Sequence, residues 1–118
     1  MHSFMITHLE VPENDAEAWD WIESLDESSD QPDSITEPKL LALIDFLLTQ
    51  FPENYPDEEW EKCVWAEGPM YRCGNDSVLW VSISGRHLDK GVQKFLVDSA
   101  RSFGLVSFNT ESNEIIRP

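Results

Sequence analysis

Between Glu10 and Glu37 the chain carries eleven charged residues, and every one of them is negative. A run of this kind cannot be turned inward, because an unpaired carboxylate is too costly to desolvate. The segment is restricted to elements that keep one face in water, or to loops. The bias extends beyond it: residues 1–67 hold 18 acidic and 2 basic side chains, net −16, and residues 68–118 hold 5 acidic and 6 basic, net +1, which together make the formal charge of −15. A second acidic group follows the first at Glu53, Asp57, Glu58, Glu59, Glu61 and Glu67. Concentrating like charge costs stability through self-repulsion, so this half is either a solvated face kept for solubility or a surface that meets something basic. Direct binding to a nucleic-acid backbone is disfavoured, since it requires a basic footprint.

The apolar fraction of 41%, with five Trp and six Phe, is enough for a core, and 118 residues form one domain, 1–118. Residues 3–10 alternate as a strand, Met5, Thr7 and Leu9 against Phe4, Ile6 and His8, closed by Pro12. Asn14 with Glu17 three residues on has the spacing of a capping box, and Ala18, Trp21, Ile22 and Leu25 follow at helical spacing. The acids Asp15, Glu17, Asp20, Glu23 and Glu27 take the remaining positions, with Trp19 at the border of that acidic face. Residues 28–34 are a polar breaker. Thr36 is expected to cap a second helix with Pro38 in its first turn, and Leu40, Ile44, Leu47, Leu48 and Phe51 line one side of it. This helix is apolar nearly all round, so it should be the most buried.

Residues 51–61 read as an acidic loop with a short helical turn at DEEW. Residues 62–68 and 77–84 read as a second and a third strand forming a hairpin, flanked by Cys63 and Cys73. A third helix runs from His87 to Phe103 with Gly104 placed as a left-handed C-cap. Residues 105–109 and 114–118 close the chain as a hairpin. The expected order is βααββαββ, an α+β single-domain sandwich with helices on one face of a mainly antiparallel sheet.

Few patterns point to catalysis. Counting twelve from Asp26 puts Asp26, Ser28, Asp30, Ser34 and Glu37 at calcium-loop positions, but Gln31 stands where the loop needs Gly, Pro32 follows it, and no second loop is present. The carboxylates lie in open, mutually repelling rows rather than in a desolvated cleft that would separate their pKa values. His2, His8 and His87 are far apart and show no metal-ligand spacing. Cys73 lies beside Arg72 without an obvious histidine, and a Cys63–Cys73 disulfide is conceivable across a hairpin but disfavoured in a reducing compartment. The five glycines are scattered as turn and cap residues, not as a phosphate loop. No catalytic residue, metal or cofactor is expected. The N-terminus lacks a basic region and a sustained apolar stretch, and no apolar run has spanning length, so a cytoplasmic chain without membrane contact is expected.

An interaction surface is what remains. Acidic rows interleaved with aromatics suit a basic protein partner: charge steers encounter, and Trp or Tyr anchors. Trp21 and Trp65 are the best core candidates, which leaves Tyr55, Trp60 and Trp19 as exposed anchors beside the carboxylates of Asp15, Glu17, Asp20, Glu23, Asp57, Glu58, Glu59 and Glu61.

The helix rich in acids and Trp, the TEPKLLALIDFLLTQFP segment, the VLWVSIS strand and the closing GLVSFNTESNEIIRP hairpin together resemble a group of small acidic bacterial proteins, the immunity proteins of type VI secretion and other polymorphic-toxin systems. The resemblance covers nearly the whole chain, and it implies a cytoplasmic antitoxin that occludes one cognate toxin. A nuclease-type enzyme fits, since its positive cleft can be filled by an acidic protein as it would be by DNA. In this setting the free chain is a monomer or weak dimer. The alternative is a DNA mimic or regulator of a housekeeping nucleic-acid-binding protein, and the third reading is a calcium-binding protein using residues 26–37.

Overall fold

A computed structural model describes residues 2–26, 35–52, 58–59, 63–66, 73, 78–85 and 91–118. Seven elements follow in the order β1 (His2–Thr7), α1 (Asp15–Asp26), α2 (Pro38–Gln50), β2 (Val78–Ile83), α3 (Val92–Ser102), β3 (Val106–Asn109) and β4 (Glu114–Ile116). The class is α+β, and the sheet is open and antiparallel with strand order β2-β1-β3-β4.

The N-terminal strand is the hub of the sheet. β1 pairs with β2 from His2↔Ile83 to Thr7↔Val78. Its other edge pairs with β3 from Phe4↔Asn109 to Thr7↔Val106, and β4 extends β3 through Phe108↔Ile115. Because side chains alternate along a strand, this register sorts the sheet into two apolar faces. Phe4, Ile6, Leu79, Val81 and Ile83 join Leu40, Leu43, Ile44 and Leu47 of α2 and Val92, Leu96 and Ala100 of α3 in the larger core. Met5, Val78 and Phe108 meet Ala18 and Ile22 of α1 in a second.

The helices therefore cover both faces, α2 and α3 on one and α1 on the other, and not a single face as expected from the sequence. The cause lies in the sheet as a whole: Met5 of β1, Val78 of β2 and Phe108 of β3 make the second face apolar as well, so neither face can be left to water. A second difference concerns residues 62–68. Among the described residues this segment contributes one bridge, Trp65↔Ile83, instead of a strand. Two hydrogen bonds flank it, Ala66 N–H to the Ser82 carbonyl at 2.7 Å and Ser84 N–H to the Val64 carbonyl at 2.8 Å. Trp65 also reaches the end of α2, its indole N–H donating to the Phe51 carbonyl. The order is thus βααβαββ.

The same register decides the cysteine question. Val64 lies beside Ser84, and the Trp80 N–H donates to the Cys73 carbonyl. The two attachment points are four residues apart along β2, roughly 13 Å at strand rise, whereas a disulfide needs Cα atoms within about 7 Å. Cys63 and Cys73 are free.

Helix ends follow local chemistry with one change. The α2 cap is Glu37, not Thr36: its carboxylate accepts from the Lys39 N–H at 3.3 Å, with Pro38 behind it in the first turn. α3 ends in a Schellman arrangement, with Gly104 at φ 74° and Leu105 N–H donating to the Ala100 carbonyl at 2.9 Å. The segment before Gly91, where the helix is expected to begin at His87, lies outside the described residues over 86–90. In the closing hairpin, Asn109 Oδ1 accepts from the N–H of Glu111 and of Ser112, and Asn113 takes the left-handed φ of 58°.

Candidate functional site

The acidic face belongs to α1, and its placement starts at Asn14. The Asn14 side chain accepts from the Glu17 N–H at 3.1 Å, and its carbonyl accepts from the Ala18 N–H at 2.9 Å, which starts the helix where the sequence expected it. Among the described side chains of the helix, Ala18 and Ile22 are the fully buried ones. At about 100° per residue, Glu17, Asp20 and Glu23 then fall on the side away from the sheet, and all three are exposed. They recur every three residues, roughly 4.5 Å apart along the axis, and none has an ion-pair partner among the described residues. The helix contains no Lys or Arg to offset them.

Trp19 and Trp21 sit on either flank of the buried stripe, each about 80° from it by helical geometry, and both are half-buried. This corrects the expectation for Trp19. Its ring meets Phe108 edge-on at a centroid distance of 5.1 Å, so it packs on the sheet and shows only part of its surface. Trp21 packs against the same cluster, as does Trp80.

Asp15 differs from Glu17, Asp20 and Glu23 in having a cation among the described residues. Arg117 Nη2 donates to Asp15 Oδ1 at 3.3 Å, and also to the carbonyls of Pro12 at 3.0 Å and Glu13 at 3.4 Å. The C-terminus is tied to the start of α1 by this one guanidinium. Glu17, Asp20 and Glu23 form an exposed triplet with no compensating cation among the described residues.

The second acidic group is a separate matter. Glu58 is exposed and Glu59 half-buried, in a 3₁₀ turn that agrees with the helical turn expected at DEEW. Tyr55, Asp57, Trp60 and Glu61 lie outside the described residues. Glu58 and Glu59 follow α2 in the chain and are separate in sequence from the α1 acids. No protein-family model, curated protein or solved structure matches the chain. The site is accordingly read from its own geometry.

That geometry is a ridge of three exposed carboxylates, none ion-paired among the described residues, with an indole edge on each side. Among the described residues no group of three or more His, Cys, Asp or Glu could hold a metal ion. Of the twelve-residue calcium loop, 27–34 lie outside the described residues, and Glu37 is engaged as the α2 cap with His8 Nε2 at 3.9 Å from its carboxylate. No helix among the described residues is long and apolar enough to cross a membrane.

One group escaped the sequence reading. Phe46 and Phe103 are 45% and 36% exposed, and they belong to a run of aromatic contacts between α2 and α3. Phe46 stacks on Phe95 at 5.6 Å and meets Phe103 edge-on at 5.8 Å; Phe51 continues the run to Phe95 at 5.3 Å and to Trp65 at 6.2 Å. The available signal was α2 itself, too apolar all round for a helix with one buried side.

Proposed function

We propose that this chain is an immunity-type inhibitor: it binds a basic partner protein, in the manner of an antitoxin on its cognate nuclease-type toxin, through the α1 ridge. The observation that carries this reading is the triplet Glu17, Asp20 and Glu23, exposed and without an ion-pair partner among the described residues, on a helix that has no basic residue. Keeping like charges at this spacing destabilises the helix by a few tenths of a kcal/mol per pair, a cost that a purely solvating surface could avoid by interspersing Lys. Trp19 and Trp21 add contact area that is already held in place by Phe108 and the sheet, so little side-chain entropy is lost on binding.

The resemblance to small acidic immunity proteins supplies the antitoxin role, and the charge supplies the sign of the partner. In the test, the adjoining open reading frame is expressed alone and together with this chain. Protection of growth is expected, together with a tight complex whose association weakens as salt is raised. The triple variant Glu17→Gln, Asp20→Asn, Glu23→Gln should lower affinity by at least about tenfold, mostly through slower association. An adjoining product that stays lethal beside this chain would remove the antitoxin role, and unchanged affinity in the triple variant would remove the ridge.

A further inference from the structure

Association between copies of this chain is opposed by a charge of −15 on each, so it is confined to whichever face carries the least of that charge. Among the helices that face is the α2/α3 layer. α2 contributes Lys39 and Asp45, and α3 contributes Lys94, Asp98 and Arg101, three basic against two acidic, net +1. α1 carries Asp15, Glu17, Asp20, Glu23 and Asp26, net −5. All five charged side chains of the α2/α3 layer are exposed, and none forms an ion pair among the described residues. The large hydrophobic side chains classed as exposed among the described residues, Phe46 and Phe103, lie on the same layer and touch each other. Among the described helices, the lowest charge and the exposed aromatic rings coincide there, although neither observation requires the other.

A two-fold interface must be complementary to itself. A layer that exposes charges of both signs together with an apolar pair meets that condition, because Asp98 or Asp45 of one copy can approach Lys94, Arg101 or Lys39 of the other. The uniformly negative α1 cannot. We propose that the Phe46–Phe103 end of the α2/α3 seam is the docking face for a second copy of this chain, which leaves the α1 ridge on the opposite side of the sheet open in each copy. Two partly exposed rings are far below the roughly 800 Å² per partner of a stable complex, so the dimer is weak and in exchange with monomer.

The proposal does not depend on the inhibitor reading, and its test uses the free chain. Sedimentation equilibrium over a range of protein concentrations is expected to show monomer–dimer exchange that tightens as sodium chloride is raised, because salt screens the repulsion between acidic copies. This is the opposite trend from that expected for a basic partner. Phe46→Ser should weaken dimerisation by about tenfold, with circular dichroism reporting that the fold is kept. Lys94→Glu with Arg101→Glu changes only exposed side chains, should weaken it likewise, and serves if Phe46→Ser does not fold. A chain that is monomeric at every concentration and salt overturns the proposal and assigns the seam to some other occupant. Dimerisation that survives the charge reversal also overturns it.

Discussion

Trp65 donates its indole N–H to the carbonyl of Phe51 at 2.6 Å, and Phe51 is the residue on which α2 ends. The last carbonyls of a helix have no partner within it, so this bond closes one of them from across the molecule. It joins the helix end to the segment that bridges Ile83, and the Phe51 ring stands edge-on to the indole at 6.2 Å. A polar requirement of α2 and a packing requirement of the core are met by one side chain.

Trp65→Phe keeps most of the buried ring and loses the bond, so it is expected to destabilise the fold by about 1–2 kcal/mol. Trp65→Ala also empties the site and should cost about 3–5 kcal/mol. Urea unfolding midpoints measure both. Equal costs would mean that the indole N–H contributes nothing.

Arg117 and Asp15 should behave unequally although they form one ion pair. The Asp15 side chain is 73% exposed, so its attraction is screened and Asp15→Asn is expected to change stability by less than about 0.5 kcal/mol. Arg117 also reaches the carbonyls of Pro12 and Glu13, and Arg117→Ala should cost about 1 kcal/mol. The difference between the two melting shifts is the measurement, taken at low and at moderate salt.

Ser107 is fully buried, and its hydroxyl finds no hydrogen-bond partner among the described residues. Ser107→Ala removes an unpaired polar group at nearly constant shape, so stability is expected to hold or rise by up to about 1 kcal/mol. Thr110→Val is the contrast. It deletes the bond from Thr110 Oγ1 to the Ser3 carbonyl at 2.7 Å and should lower stability by about 1 kcal/mol.

The α1 ridge carries a cost that its removal should reveal. Glu17 and Asp20, and Asp20 and Glu23, stand at the i, i+3 spacing where like charges repel. Asp20→Asn with Glu23→Gln is expected to stabilise the free chain by roughly 0.2–0.5 kcal/mol per relieved pair, with the gain shrinking as salt rises. Thermal melts at low and high ionic strength check the sign. A destabilised variant would mean that these carboxylates make contacts that support the fold.

What the sequence determined by itself was whatever depends on near neighbours. Asn14 starts α1, Gly104 ends α3, and the last hairpin turns at Thr110 to Asn113, because caps and turns satisfy backbone groups within a few residues of themselves. Confinement of the acidic residues to one half was also plain in the sequence, and so was the exposure of Glu17, Asp20 and Glu23, which follows from the period of a single helix. Tertiary structure alone decided which helix covers which face. β1 offers Phe4 and Ile6 on one side and Met5 on the other, and alternation cannot say which of two apolar faces receives α1. Trp19 was drawn from the border of an acidic helix onto Phe108, a residue far along the chain. Phe46 of α2 meets Phe103 at the end of α3 with both rings still exposed, and the exposure of an aromatic ring is a property of its neighbours in space rather than of its place in the chain.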